Sequence, residues 1–246
     1  MRARQRHLNP ASAAATIALD ARFITGLNNN DAVTTWSTRT SNGRNATQSS
    51  ASLKPTYLTA QQGGNPVVNF NLDYMTESTG VGGSTANFSA IIAFKSFNYN
   101  GNAGGGGAAL SCGFSSTADF LLARTQSLHF AQFNNSADGA ATVSNPGSGQ
   151  QIQSHRYDGG GTGNSGRQKY FFNGAEQTLA YDYTVPATIN PIGQYAIGAY
   201  SLNVNFAQWH LSGDMCSISI YPSSLSSSLR RRLENAAALS FKIACS

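Results

Sequence analysis

The feature that most limits this chain is its rhythm: short apolar runs, rich in β-branched and aromatic residues, cut off again and again by Gly, Asn and Ser. Such runs suit strands of about 5–6 residues and are too short for packed helices. A first strand is expected over Thr16–Leu19, and a short extended piece over Val33–Trp36. Further strands are expected over Pro66–Phe70, Phe88–Phe94, Ala108–Phe114, Phe120–Ala123, Leu128–Phe133 and Ile152–Tyr157. Lys169–Phe172, Tyr195–Tyr200, Phe206–His210 and Asp214–Tyr221 complete the set. Phe88–Phe94 is almost continuously apolar, which marks a central strand. Asn173-Gly174, directly after Lys169–Phe172, is the strongest short hairpin signal, because both residues tolerate positive φ. Ser41-Asn42-Gly43 reads as a second turn. Residues 134–150 and 158–168 read as loops. So do the glycines Gly104–Gly107, which lack the following Lys-Ser/Thr of a phosphate-cradling loop.

A single helix is expected, at about 225–241. Ser226–Ser228 can cap it, and Leu225, Leu229, Leu233, Ala237 and Phe241 recur four apart, with Arg230, Arg231 and Glu234 assigned to the other faces. Many short strands with turns between them, closed by one helix, describe an all-β, two-sheet antiparallel β-sandwich with one short C-terminal helix. The chain has 246 residues, which fits one such domain over 13–246, preceded by a basic arm over 1–12.

Charge narrows the partners. Only 11% of residues are charged, against about 25% in an average soluble protein. The formal net charge of +5 belongs to the two ends: Arg2, Arg4 and Arg6 at one, Arg230, Arg231, Arg232 and Lys242 at the other. The body between is nearly neutral and lacks the basic stripe that phosphate backbones require, so no nucleic-acid partner is expected. No apolar stretch is long enough for a membrane helix, so no membrane insertion is expected. Cys112, Cys216 and Cys245 are odd in number and have no CxxC spacing; Cys112 and Cys216 read as small buried hydrophobes. The Ala-rich run Ala11–Leu19 is too short, and too soon broken by Asp20, to be an export signal. A surface rich in Ser, Thr, Asn and Gly without an export signal suits a virion protein released by lysis, or a fragment of a larger secreted chain.

The order of motifs resembles a known fold family. Asp20-Ala21, Ile24-Thr25-Gly26-Leu27, Asp31–Trp36, Ser41–Gln48, Pro55-Thr56-Tyr57 and Pro66–Phe70 resemble the opening of concanavalin A-like, laminin-G-like jelly-roll domains of phage structural and bacterial surface proteins. Gly213-Asp214-Met215, Ile218–Tyr221, Leu225-Ser226 and Arg230–Glu234 are similar to that family's last strand and closing helix, and Tyr170–Glu176 to its Asn-Gly hairpin. The resemblance implies two curved, stacked antiparallel sheets. It implies no single function, because this sandwich carries lectins, glycosidases, adhesion modules and capsid parts. Two positions depart from the pattern: Thr38 and Ser217 stand where the family often has acids, which argues against an inherited calcium site.

A retaining glycosidase needs two carboxylates about 5–5.5 Å apart. Of the three glutamates, Glu77 has Asp73 four residues away at the edge of a turn, while Glu176 and Glu234 have no such neighbour. Asp73 and Glu77 therefore read as a solvated turn, and glycoside hydrolysis is the remotest alternative. His7, His129, His155 and His210 stand apart from one another; His129 reads as packed, His155 and His210 as facing solvent. No metal site or cofactor is expected. Asn28-Asn29-Asn30-Asp31 could hold calcium weakly, but turn formation accounts for it.

Sugar binding needs an aromatic platform with amide or hydroxyl partners, and the expected glycan contacts are Tyr99, Asn100, Tyr200, Asn205 and Trp209. Trp36 reads as a structural anchor. The first expectation is a non-enzymatic structural or adhesion protein of a bacteriophage virion: a capsid decoration, head-fibre or tail component on the virion surface. Arg2, Arg4 and Arg6 would dock it on virion proteins, with self-association and host-surface glycans as further partners. The alternative is a secreted or surface lectin-like carbohydrate-binding module of a bacterium.

Overall fold

A computed structural model describes residues 14–77, 87–99, 106–112, 120–125, 128–132, 141–144, 147–189, 195–202, 205–208 and 210–245. In chain order the first strands are β1 (Ile17–Asp20), β2 (Thr35–Trp36), β3 (Ala46–Thr47), β4 (Thr56–Gln62), β5 (Asn65–Asn71) and β6 (Met75–Glu77). There follow β7 (Asn87–Tyr99), β8 (Gly106–Cys112), β9 (Phe120–Thr125), β10 (Leu128–Gln132), β11 (Ala141–Ser144) and β12 (Gln151–Asp158). A short helix α1 (Gly163–Arg167) leads to β13 (Gln168–Phe172), β14 (Ala175–Gln177), β15 (Ala180–Tyr181), β16 (Tyr195–Ile197), β17 (Tyr200–Leu202), β18 (Asn205–Gln208) and β19 (Leu211–Tyr221). The helix α2 (Ser227–Phe241) closes the chain.

The first sheet runs β14-β13-β12-β7-β19-β5-β4, with β1 sharing β19's edge beyond β5. The second runs β15-β11-β10-β9-β8-β16-β6-β3-β2, and β17 and β18 pair separately. Every pairing within these sheets is antiparallel, so the fold is an antiparallel jelly-roll β-sandwich.

The continuous apolar run of β7 follows from its position. Ala90, Ile92 and Phe94 enter the core between the sheets, with Trp36, Phe70, Met215, Ile218 and Ile220. Ile91 and Ala93 face the other way, into a second cluster with Ile152, Cys216, Leu233 and Phe241 beneath α2. A strand covered on both faces has no reason to alternate. Each fully buried side chain of this size contributes about 1.5–3 kcal/mol. Cys112 and Cys216 are buried, as is Trp36. Asn173 and Gly174 both take positive φ, 46° and 88°, and close the β13–β14 hairpin.

Several elements differ from the sequence expectations. The expected loop 134–150 contains β11, and 158–168 contains α1. In the first of these, Ala141-Thr142-Val143 carries strand character that the surrounding Asn, Ser and Gly dilute. Gly106 and Gly107 belong to β8, not to a glycine loop. The expected strand Tyr195–Tyr200 is interrupted after Ile197. Gly198 has φ +87°, and a Cβ there would lie 2.5 Å from the Phe70 ring, so only glycine lets the chain pass.

The helix starts at Ser227, two residues later than expected, with the Ser226 side chain accepting the Leu229 N–H. Arg230 and Glu234 are buried, so they belong to the packed stripe and not to the other faces to which they were assigned. A spacing of four overshoots a 3.6-residue turn by roughly 40° each time, so five such positions drift far around the helix. The buried stripe is Arg230, Leu233, Glu234, Ala238 and Phe241, and Leu229 and Ala237 are left at its flanks. Arg230 and Glu234 neutralise each other one turn apart, and the Arg230 guanidinium lies 3.5 Å from the Phe171 ring centre. Arg231 donates to the Gly174 carbonyl at 2.6 Å, tying α2 to the hairpin.

Candidate functional site

At the end of β1, Asp20 caps a one-turn 3-10 helix, Ala21–Phe23, by accepting the Arg22 N–H at 3.0 Å. Arg22 folds back on the same carboxylate, with Nε 3.0 and 3.2 Å from its two oxygens and Nη2 at 2.6 Å. The strand-like segment 38–39 runs alongside β1: Thr38 Oγ1 accepts the Ala18 N–H at 3.1 Å, and the Arg39 N–H donates to the Ala18 carbonyl at 2.8 Å. Thr38, where the resembled family often has an acid, thus serves as a hydroxyl acceptor.

This places the Arg39 guanidinium 3.8 Å from the centre of the Phe23 ring and its Nη1 3.6 Å from Asp20 Oδ2. Ala21 is fully buried and fixes the turn, while Phe23 is 49% exposed. Among the described residues it shares this exposure with two other large apolar side chains, Leu72 and Leu239.

Phe23 borders a groove of about 300 Å³ whose apolar wall continues through Ile24, Leu27 and Ala32. Thr25, Thr34, Thr35 and Ser37, all hydroxyl-bearing residues, line the same groove. Thr35 stands opposite Thr47, and Thr47 opposite Thr76. Residues directly opposite in paired strands share a face, so a row of hydroxyls crosses the outer side of the second sheet from the groove. Burial pushes the Arg39 pKa down and the adjacent Arg22 charge adds to this, while Asp20 opposes both.

The expected glycan contacts fall elsewhere. Asn100 and Trp209, like the docking residues Arg2, Arg4 and Arg6, lie outside the described residues. The backbone brings the other three towards one end of the sandwich. Tyr99 stands opposite Leu211, whose N–H donates to the Gly198 carbonyl two residues before Tyr200, and Asn205 pairs with Leu202 across β17–β18. The Tyr200 side chain is only 9% exposed.

Other expectations are corrected. His155 and His210 do not face solvent: both are buried, His155 with its ring 4.6 Å from that of Tyr170, His210 6.1 Å from that of Tyr74. Burial pushes the His210 pKa down, against an opposing contribution from the Asp73 backbone. Glu77 is not part of a solvated turn. It is buried at the end of β6, with Arg44 Nη2 2.9 Å from its Oε2.

The buried carboxylates of the described residues each face a cation: Asp20 faces Arg22, Glu77 faces Arg44, Asp214 faces Lys95 at 2.9 Å, and Glu234 faces Arg230. These are counter-ion positions, not the facing acids of a glycosidase. Two of the Asn28–Asp31 side-chain oxygens are engaged within the protein: Asp31 Oδ2 accepts the Asn28 N–H at 2.6 Å inside the turn, and Asn29 Oδ1 accepts the Thr59 N–H of β4 at 2.9 Å. Among the described residues no three His, Cys, Asp or Glu side chains gather as metal ligands.

The fold defines the chain as a jelly-roll β-sandwich. No protein family matches its sequence, and no curated protein does. Solved structures do resemble it. The binding domain of botulinum neurotoxin serotype G aligns with a TM-score of 0.53 at 13% identity, covering 89% of this chain and 50% of that one. A heptameric SAP-like pentraxin from Limulus polyphemus gives 0.47 at 13% identity, covering 67% and 75%. The CBM40 of the Ruminococcus gnavus IT-sialidase gives 0.45 at 15%, covering 62% and 82%. At such identities the likeness is one of fold. The chain spans about half the length of the toxin domain it matches.

The groove was not singled out in the sequence. Its one readable signal is Asp20-Ala21-Arg22-Phe23, a capping acid followed at once by a cation and an aromatic.

Proposed function

We propose that this chain is a glycan-binding module that acts without catalysis, with its ligand seated in the groove beside Phe23. The observation that carries this reading is the pairing of a half-exposed aromatic, fixed on a short capped turn, with four threonine and serine residues lining the same groove. With Arg39 over the Phe23 ring, a sugar's apolar C–H surface can pack along the ring's groove side while its hydroxyls trade hydrogen bonds with threonine and serine. The fold neighbour with the TM-score of 0.53 is itself named a binding domain, which supports a recognition role over a purely structural one.

The test is a glycan array of the purified protein, with and without calcium, beside Phe23→Ala. Specific sugars retained by the wild type and lost by the variant are expected; a blank array would overturn the reading.

A second surface has one observation in its favour, the convergence of Tyr99, Tyr200 and Asn205 backbones at one end of the sandwich. Loss of binding in Trp209→Ala or Tyr99→Ala, with Phe23→Ala unaffected, would move the site there. Display of the module on a phage particle through Arg2, Arg4 and Arg6 is a further proposal, tested by deleting residues 1–12 and measuring attachment to particles. A bacterial surface or secreted module needs no such arm and accords equally with the groove.

A further inference from the structure

Resting on the glycan-binding reading of the groove, we propose that the ligand is an acidic sugar whose carboxylate docks on the Arg39 guanidinium at the edge of Phe23. One carboxylate, Asp20, serves two guanidinium groups. Arg22 occupies both of its oxygens through Nε and Nη2, and the Arg22 backbone N–H adds a third donor. Arg39 is left with Nη1 3.6 Å from Oδ2, beyond hydrogen-bond reach. An arginine carries five N–H donors in a planar fork. Among the described residues none of the Arg39 side-chain donors makes a hydrogen bond. Asp20, Arg22 and Arg39 together carry one uncompensated positive charge.

Arg39 is also held in place. Its backbone is bonded to Ala18, and its guanidinium is stacked 3.8 Å from the Phe23 ring centre, so the ordering cost of an incoming anion is largely met before it arrives. Its side chain is 21% exposed, so it is not sealed from solvent. A carboxylate matches the fork with two parallel bonds, and a lysine or a hydroxyl cannot offer that geometry. Phe23 borders both features, with Arg39 stacked on its ring and the groove along its side. A sugar ring in the groove can therefore present a carboxylate over the Phe23 edge while its hydroxyls face Thr25, Thr34, Thr35 and Ser37. The Arg22 charge, which repels the Arg39 guanidinium, adds to the attraction for an incoming anion.

The experiment is an array in which each carboxylated glycan stands beside its carboxyl-reduced, neutral counterpart and beside sulfated glycans. It is run on the wild type, Arg39→Gln and Arg39→Lys, with thermal denaturation recording the fold of each. The expected result is at least a tenfold wild-type preference for the carboxylated member of a pair. Arg39→Gln should reduce that preference to near parity, and Arg39→Lys should retain only part of it. Equal binding of acid and reduced forms by the wild type would overturn the acidic-sugar inference and leave glycan binding standing. That comparison decides the matter even if Arg39→Gln fails to fold. A preference that survives intact in a folded Arg39→Gln, or one for sulfated glycans alone, would likewise overturn it. A blank array would overturn the glycan reading itself.

Discussion

Two clusters in this molecule are built from the same parts and used differently. Beneath α2, Arg230 pairs with Glu234 and stacks 3.5 Å from Phe171, a ring that is 3% exposed. At the end of β1, Arg39 approaches Asp20 and stacks 3.8 Å from Phe23, a ring that is 49% exposed. In the first cluster one acid meets one base, and the apolar residues of the helix seal both from water. In the second, one acid is shared by two bases and the aromatic stands open beside a groove. A cation, a carboxylate and a ring therefore do not mark a site by themselves. Exposure and the charge left over separate the two.

The sealed pair should be the more sensitive of the two clusters to substitution. Glu234→Ala leaves Arg230 buried and unpaired, and should cost about 3–5 kcal/mol of unfolding free energy by chemical denaturation. Replacing both partners by apolar residues, Arg230→Met with Glu234→Leu, should recover most of that loss. A loss under about 1 kcal/mol for Glu234→Ala would show that the pair is solvated after all.

At the open cluster the order of effects reverses. Phe23→Ala should weaken glycan binding by at least tenfold, about 1.4 kcal/mol, and change the melting temperature little. A large stability loss without a binding loss would make Phe23 a structural residue like Phe171. A smaller effect belongs to the helix that seals the first cluster. Ser226→Ala removes the acceptor for the Leu229 N–H and should cost about 1 kcal/mol in the same denaturation assay.

The smallest effect is a pH dependence. Buried His210 is held neutral, its pKa pushed below the ordinary 6.5. Between its folded and unfolded values the unfolded chain binds more protons, so stability rises with pH there. The His210 contribution should therefore decline as pH falls below about 6.5, and melting curves of His210→Gln should show a flatter dependence than the wild type.

What was legible in the sequence follows from where physics acts locally. Asn173-Gly174 fixed its hairpin through two positive φ angles, and Phe88–Phe94 announced a strand covered on both faces. Arg230 and Glu234 were misplaced because a spacing of four looks like one face in the sequence and drifts on a real helix. Burial of His155, His210 and Glu77 depends on which strands lie opposite, and Tyr170, Tyr74 and Arg44 come from distant parts of the chain. The groove joins 23–27 to 32–37 and draws its charge from Asp20, Arg22 and Arg39. Only Asp20–Phe23 is contiguous, and nothing local tells that Phe23 stays open while Phe171 is sealed.

The most direct test of the central claim is a backbone amide NMR titration of the full chain with the strongest glycan found on the array. The expected result is a set of saturable shifts centred on residues 22–27 and 32–39, with the Phe171–Gly174 and Arg230–Glu234 amides unmoved. Shifts centred instead on residues 99–100 and 199–209, with the Thr25 and Thr35 amides unmoved, would contradict the assignment of the site to the Phe23 groove.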